Sequence, residues 1–306
     1  MHTLDRSVEI VEVSPRDGLQ NESVLLESAE KVELIERAIA AGIKRIEATS
    51  FVHPRLVPQM ADAEAVMAGV PRSPEVSFIG LALNERGYQR ARAAGVDEVN
   101  FVVVVSDTFN QRNQGATTDE SIATWLDLAA AARGEGIRTS VTLAASFGCP
   151  FEGEVPIERF ASVAGRVLEG RPDELALADT IGVGVPTDVA ARVGAVRAMD
   201  PDVRLRCHFH NTRNTGLANA VAAVEAGVDV LDASIGGIGG CPFAPAATGN
   251  IPTEDLVYLL ERMGHRTGID LEQLCGTAIW LGERLGAPVP GLLSRAGGFP
   301  AAPEGA

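Results

Sequence analysis

Residues 203–233, VRLRCHFHNTRNTGLANAVAAVEAGVDVLDA, contain one complete strand–helix–strand unit. An apolar run over 203–209 predicts a strand, the amphipathic stretch over 213–226 predicts a helix, and a second apolar run at 228–233 predicts another strand. Gly227 stands between the helix and the second strand, where a left-handed cap is easiest for glycine. Such a unit is the building block of a parallel α/β sheet.

The same pattern recurs along the chain and predicts eight units. Strands are predicted near 8–13, 43–48, 75–81, 97–105, 137–144, 173–178, 203–209 and 228–233, and helices near 28–41, 58–68, 84–94, 119–135, 156–169, 186–198, 213–226 and 253–262. Eight units favour a (β/α)8 TIM barrel over an open doubly wound sheet. We therefore expect a single barrel domain over residues 1–286, including an additional C-terminal helix near 270–286. A Pro/Gly/Ala-rich, poorly ordered tail is expected over 287–306.

The composition excludes several classes of function. The formal net charge is −15 and the pI is about 4.8, whereas broad binding to nucleic acids or anionic membranes needs a basic surface. No run approaches the ~20 apolar residues of a membrane span, and the N-terminus carries no apolar signal core, so we expect a cytoplasmic protein. The four cysteines show no paired spacing, so neither a disulfide framework nor a cysteine-based zinc site is expected.

The strand at 203–209 runs into a pair of histidines separated by one residue. Alternate residues of a strand share one face, so His208 and His210 are predicted to project together. Two further metal ligands would have to come from other strands, and Asp17 and Asn250 are candidates because each follows a predicted strand. Active sites of (β/α)8 barrels lie at the carboxyl ends of the strands, which is where all four residues are expected. The alternative is that both histidines are hydrogen-bonded residues of the barrel wall.

Other polar residues are predicted at the same mouth, because they follow strands 1, 2, 6 and 8. They are Arg16, Gln20, Glu47, Ser50, Asp179 and Cys241. The two acids could also cap helices or lie in loops, Asn250 could cap the helix near Thr253, and a free cysteine is most often a small buried hydrophobe. The four glycines just before Cys241 instead predict a mobile loop that carries the thiol. This glycine run follows the last strand, so it does not match a dinucleotide-binding loop.

Five stretches of the sequence together resemble the 3-hydroxy-3-methylglutaryl-CoA lyase family. They are residues 14–22 (SPRDGLQNE), 47–52 (EATSFV), 178–184 (ADTIGVG), 208–210 (HFH) and 239–258 (GGCPFAPAATGNIPTEDLVY). The likeness covers nearly the whole chain, and the Gly-Gly-Cys-Pro loop is the stretch most specific to the lyases. It implies metal-dependent retro-Claisen cleavage of 3-hydroxy-3-methylglutaryl-CoA to acetyl-CoA and acetoacetate, and with it a place in leucine degradation.

The resemblance implies a divalent cation held by Asp17, His208, His210 and Asn250. Mg²⁺ or Mn²⁺ best suits this mixed set of ligands, although imidazoles also suit Zn²⁺, Co²⁺ and Fe²⁺. Arg16 is implied to stabilise enolate charge on the thioester oxygen, and Asp17 and His208 are expected to take part in catalysis beside it.

The remaining motif residues are implied to contact the substrate or to move protons. Cys241 is expected to donate a proton to the enolate carbon from a loop that closes over the site. Glu47 and Asp179 fit supporting or proton-relay roles. The expected substrate contacts are Arg16, Gln20, Ser50 and Arg213. We expect an acyl-CoA substrate and a possible homodimer, with no nucleic-acid or membrane partner.

Two features depart from what the family pattern leads one to expect. The segment after the histidines reads Asn211-Thr212-Arg213, where well-known members carry an aspartate followed by an aromatic residue and glycine. This difference leaves open a related lyase that acts on citramalyl-CoA or on a bulkier branched glutaryl-CoA. Arg206 is predicted to point into the barrel, where a buried guanidinium needs a partner, and Glu12 or Glu47 is the expected one.

Reactions of other classes fit the sequence less well. A Schiff-base aldolase needs an activated lysine, and the two lysines, Lys31 and Lys44, fall in the first helix and at the wrong end of the barrel. An acyl synthase would share the metal ligands, but it would not be expected to carry the Gly-Gly-Cys-Pro loop. A barrel without catalytic activity would not need this ligand set together with Arg16 and Cys241.

Overall fold

The computed structural model describes residues 6–240 and 249–300, and it contains a closed barrel of eight parallel strands. The first and last strands pair with each other, so the sheet has no free edge. This closure confirms the predicted (β/α)8 TIM barrel. The barrel strands are β1 (Glu9–Glu12), β2 (Arg45–Ser50), β3 (Ser77–Ala82), β4 (Glu98–Val104), β5 (Arg138–Ala144), β6 (Glu174–Asp179), β7 (Leu205–Phe209) and β8 (Val230–Ala233).

Helices surround the barrel and bury their apolar faces against the strands. They are α1 (Ser28–Ala40), α2 (Ala63–Gly69), α3 (Glu85–Ala93), α4 (Asp107–Gln114), α5 (Thr118–Glu135), α6 (Ile157–Leu168), α7 (Pro186–Met199), α8 (Gly216–Glu225), α9 (Thr253–Arg262), α10 (Leu271–Leu285) and α11 (Leu293–Ala296). The helix predicted near 58–68 is interrupted, because residues 58–60 form a 3-10 turn before α2 begins. The predicted additional helix after the eighth unit is confirmed as α10.

Helix α4, which lies between β4 and α5 at the barrel mouth, was not predicted from the sequence. Its residues are mostly polar, so hydrophobic periodicity does not reveal it. Local contacts define its ends instead: the Ser106 hydroxyl accepts a hydrogen bond from the Phe109 amide, and Gly115 ends the helix with φ 71°. A small antiparallel hairpin of Gly148–Cys149 and Gly153–Glu154, after β5, was also missed.

Paired charges lie inside the barrel, towards the amino ends of its strands. Arg45 lies 2.6 Å from a carboxylate oxygen of Glu98 and 2.8 Å from one of Glu174. Arg206 is fully buried, and its Nε lies 3.3 Å from Glu174 and 3.4 Å from Asp232. These pairs place opposite charges together where isolated charges would be strongly destabilising.

The prediction that Glu12 or Glu47 pairs with Arg206 is therefore wrong. Register explains the difference, because Asp232 on β8 lies beside His208, one inward position above Arg206. The Glu12 carboxylate accepts hydrogen bonds from the amides of Ser14 and Ile235 and from the Thr253 hydroxyl. Its oxygens are therefore paired with groups other than Arg206.

The segment after α10 packs on the barrel mouth. Val289 and Leu293 are buried, and the Gly291 amide donates a 2.8 Å hydrogen bond to the Gly236 carbonyl. The amides of Leu292 and Leu293 bind the carboxylate of Asp255. Apolar side chains within the Pro/Gly-rich segment thus contact the barrel, and the division into a barrel domain over 1–286 and a tail over 287–306 stays a prediction.

No helix in the part of the chain that the structure describes is long and apolar enough to cross a membrane.

Candidate active site

A cavity of about 220 Å³ opens at the carboxyl ends of the barrel strands. One side of it is polar and contains Asp17, His208 and His210, which come from the ends of β1 and β7. Asp17 lies in a single π-helical turn, Ser14–Gly18, directly after β1. The opposite wall is mainly apolar and is formed by Leu81, Leu83, Val102, Val104 and Phe109. The predicted position of the site at the barrel mouth matches this cavity.

His208 and His210 project from one face of β7, as their spacing predicts. Their ring centroids are 5.1 Å apart, and the two residues are only 7% and 4% exposed. The Nε2 atom of His208 lies 3.8 Å from Asp17 Oδ2, and that of His210 lies 3.7 Å from the same oxygen. One potential ligand atom from each residue therefore points to a common position, and these atoms all lie within 4.8 Å of one another.

This geometry fits a bound divalent cation. Two ligand atoms that are each about 2.1–2.3 Å from a cation lie roughly 3.0–3.8 Å apart for coordination angles between octahedral and tetrahedral. The separations of 3.7 and 3.8 Å agree with that spacing and are too long for direct hydrogen bonds. His210 Nδ1 is also buried without a hydrogen-bond partner among the described residues. The alternative of two histidines satisfied within the barrel wall therefore explains the arrangement less well than a metal site does.

Asn250 lies beside this cluster, where a short bridge pairs its backbone with that of His210. Its Nδ2 donates hydrogen bonds to Asp17 Oδ2 at 2.9 Å and to the Ile238 carbonyl at 3.1 Å. The structure thus brings all four predicted ligands together, with the amide nitrogen of Asn250 facing Asp17. A ligand role for the amide oxygen of Asn250 stays a prediction.

Arg16 is held between two carboxylates at the edge of the cluster. Its Nη1 donates to Asp17 Oδ1 at 2.6 Å, and its Nη2 donates to Glu47 Oε2 at 2.7 Å. Burial disfavours the guanidinium charge, but the charges of Glu47 and Asp17 outweigh burial and raise the pKa of Arg16. Burial likewise opposes ionisation of Asp17, but the charge of Arg16 and the two histidines hold the pKa of that carboxyl well below its usual value.

The structure gives Asp179 a local hydrogen-bonding role. Its two carboxylate oxygens accept 2.9 Å hydrogen bonds from the amides of Val183 and Gly184, in the turn after β6. Burial raises the pKa of Asp179, and these two hydrogen bonds oppose that shift. The carboxylate therefore holds a loop at the mouth, which is the loop role considered for it from the sequence.

The other predicted site residues lie in different surroundings. Gln20 lines the cavity, whereas the Ser50 hydroxyl is buried without a hydrogen-bond partner in the described ranges. Arg213 is exposed and donates to the carbonyls of Ile181 and Gly182 at 3.0 and 2.9 Å. It binds the neighbouring loop in this structure and is not among the described residues that line the cavity. Cys241, including its predicted proton-donor role and mobile loop, lies outside the described residues.

Two polar residues at the site were missed by the sequence analysis. Asp232 Oδ2 lies 3.1 Å from His208 Nδ1, and Asn100 Nδ2 donates to Glu47 Oε1 at 3.2 Å. Burial lowers the pKa of His208, whereas the hydrogen bond to Asp232 raises it. The net result is a raised pKa. A sequence signal was present, because each residue interrupts an apolar strand at an inward-facing position.

A family model described as HMGL-like matches residues 7–279 of this chain. The chain belongs to the HMGL-like family. An (R)-citramalyl-CoA lyase from Chloroflexus aurantiacus is 46% identical over 301 residues, which cover 95% of each protein. A hydroxymethylglutaryl-CoA lyase from Bacillus subtilis is 40% identical over 285 residues, which cover 93% of this chain and 95% of that protein.

Solved structures of HMGL-like proteins share the whole barrel. A structure of an HMG-CoA lyase from Acinetobacter baumannii, in complex with coenzyme A and 3-methylmalate, matches with a TM-score of 0.92 and 38% identity. The match covers 99% of this chain and 100% of the other. The chain is therefore a carbon–carbon lyase of the HMGL-like family, which confirms the predicted class of enzyme.

Proposed function

We propose that this lyase cleaves 3-hydroxy-3-methylglutaryl-CoA to acetyl-CoA and acetoacetate, with the help of Mg²⁺ or Mn²⁺. The observation that carries this proposal is the convergence of Asp17, His208 and His210 on one position, next to the paired guanidinium of Arg16. Their position on the polar side of a cavity whose opposite wall is mainly apolar suits an acyl group that carries a hydroxyl, a carboxylate and a methyl group.

The reaction needs a hydroxyl proton to leave, the C2–C3 bond to break and the released carbon to gain a proton. When bound, a divalent cation would supply Lewis acidity that makes the substrate hydroxyl more acidic. Asp17, His208 and His210 would hold it, with Asn250 as the fourth predicted ligand. These residues would also fix the hydroxyl end of the substrate on the polar side of the cavity.

Arg16 would stabilise the enolate that leaves with the thioester. Its guanidinium is fixed by two carboxylates before substrate arrives, so little reorganisation is needed as negative charge develops on the thioester oxygen. Cys241 would then protonate the enolate carbon to give the methyl group of acetyl-CoA. The hydroxyl proton would pass to the proton relay for which Glu47 and Asp179 are the predicted groups. With the proton gained by carbon the reaction balances, so no oxidant or further co-reactant is needed.

A second candidate substrate is citramalyl-CoA, favoured by the 46% identity to an (R)-citramalyl-CoA lyase. Citramalyl-CoA lacks one methylene between its carboxylate and its carbinol carbon, so the same bond cleavage yields acetyl-CoA and pyruvate. The residues that carry the chemistry would be unchanged, and the depth of the cavity would decide between the two substrates.

The deciding experiment is a substrate panel with the purified full-length protein. 3-Hydroxy-3-methylglutaryl-CoA, both enantiomers of citramalyl-CoA and a longer 3-alkyl glutaryl-CoA are each incubated with Mg²⁺ or Mn²⁺, and acetyl-CoA is quantified with the keto acid. We expect release that disappears in EDTA and returns with added metal. Pyruvate in place of acetoacetate would select the second candidate. No cleavage of any thioester by metal-loaded, folded protein would refute the proposal.

We also propose a homodimer. Size-exclusion chromatography with light scattering would show twice the 32.1 kDa mass of one chain if this proposal is correct.

A further inference from the structure

Asn100 occupies an unusual position for a buried amide. It lies on β4, between β3 and β5 in the barrel, is 1% exposed and points into the barrel interior. Its Oδ1 accepts hydrogen bonds from the hydroxyls of Ser140 at 3.3 Å and Thr142 at 3.1 Å. Hydroxyls can donate or accept, whereas a carboxylate that pairs with a guanidinium only accepts, so it is Glu47 that defines which way the amide points.

The amide nitrogen of Asn100 faces Glu47. It donates to Glu47 Oε1 at 3.2 Å, while the other carboxylate oxygen accepts the 2.7 Å hydrogen bond from Arg16. The Glu47 carboxylate is 1% exposed, so water cannot readily take the place of either donor. A hydrogen-bonded chain thus runs from two hydroxyls on β5, through Asn100 and Glu47, to Arg16.

We propose that Asn100 is a positioning residue that fixes the plane of the Glu47 carboxylate and, through it, the direction of the Arg16 guanidinium. Arg16 has a second anchor in Asp17, but Asp17 is also the carboxylate toward which both histidines point. Glu47 is therefore the carboxylate that holds Arg16 without also being a predicted metal ligand. This inference rests on the proposed role of Arg16 and extends it to a residue on the far side of the barrel.

The main test compares Asn100→Asp with wild-type enzyme. The substitution keeps the size and shape of the side chain but replaces the donor that faces Glu47 with a carboxylate oxygen. We expect kcat to fall by about 10- to 100-fold, because a misplaced catalytic group has effects of this order, while KM and Mn²⁺ affinity stay nearly unchanged. Asn110→Asp is the matched control, since Asn110 is also a buried asparagine at the mouth but bonds to Val104, Ala116 and Ser121.

A double-mutant cycle with Arg16→Met separates positioning from simple destabilisation. If Asn100 acts through Arg16, adding Asn100→Asp to Arg16→Met should cause almost no further loss of kcat. If the kcat losses of Asn100→Asp and Arg16→Met multiply in the double variant, the inference is overturned. A wild-type kcat in Asn100→Asp would overturn it as well. If Arg16→Met itself retains full activity, the proposed function of Arg16 fails instead, so the two failures are distinguishable.

A second route avoids the introduced charge in case Asn100→Asp does not fold. Ser140→Ala combined with Thr142→Val removes both hydroxyls that hydrogen-bond to the amide oxygen but leaves Asn100 and Glu47 in place. We expect a smaller, several-fold fall in kcat that is again lost in the Arg16→Met background. An unchanged kcat in this double variant would contradict the proposed chain of hydrogen bonds.

Discussion

Replacement of Asp232 by Asn should weaken metal binding without removing any metal ligand. Asp232 Oδ2 lies 3.1 Å from His208 Nδ1, and Oδ1 lies 3.4 Å from Arg206 Nε. In the wild type the carboxylate accepts a hydrogen bond from Nδ1–H, so the Nε2 lone pair of His208 faces Asp17 and the position between them. The side chain of Asn has nearly the same shape but only one accepting atom.

Neither orientation of the new amide preserves both contacts. If its oxygen faces His208, its nitrogen faces the Arg206 guanidinium, so two donors oppose each other in a buried space. If its nitrogen faces His208, Nδ1 must accept the hydrogen bond, and the ring proton moves to Nε2, where a ligand needs a lone pair. Loss of such a contact to a metal-binding histidine typically reduces metal affinity 10- to 100-fold, or about 1.4–2.7 kcal/mol.

Isothermal titration with Mn²⁺ measures this loss directly and needs no substrate. Glu98→Gln is the matched control, because Glu98 is an equally buried barrel carboxylate that pairs with Arg45 and Arg138 but does not contact His208. We expect an increased Mn²⁺ Kd in Asp232→Asn and a wild-type Kd in Glu98→Gln, both measured below the onset of unfolding. Equal Kd values in Asp232→Asn and wild type would refute the reasoning, and equal weakening in both variants would indicate a general effect of lost barrel charge.

Three further predictions concern Arg16, Cys241 and Glu254. Arg16→Met should lower turnover by about 10²–10³ while Mn²⁺ content stays that of the wild type, and unchanged turnover would remove Arg16 from the mechanism. Cys241→Ser should lower turnover by about 10²–10⁴ with near-normal binding of a substrate analogue, whereas full activity would make the thiol structural. Burial raises the pKa of Glu254 from 4.5 to about 8, so the folded protein holds a proton that the unfolded chain releases. The stability from this group is complete below pH 4.5 and is lost as the pH rises towards 8. In urea unfolding between pH 5 and 8, the free energy of unfolding of Glu254→Gln should therefore rise relative to that of the wild type by up to about 1.4 kcal/mol per pH unit. A constant difference between the two proteins over this range would contradict the raised pKa.

Much of the fold could be predicted because the strands of a closed barrel are apolar and are separated by helices with clear ends. Each predicted strand overlaps an observed one, and the His208/His210 pair shares a face because of the two-residue period of a strand. The position of the polar motifs after strands also predicted that they would meet, since parallel strands all end at one mouth. The polar helix α4 was missed because its ends depend on Ser106 and Gly115 and not on an apolar stripe.

The sequence by itself therefore determined the barrel, its approximate strands and the cluster of predicted ligands at its mouth. Only the tertiary structure decided which side chains meet across strands: Asp232 with His208, Asn100 with Glu47, and Arg206 with Glu174 and Asp232. Local periodicity reports which face of a strand a residue occupies, but it carries no information about the register between strands. Contacts inside a closed barrel depend on that register, because one residue of shift would turn each of these side chains from the interior to the outer face.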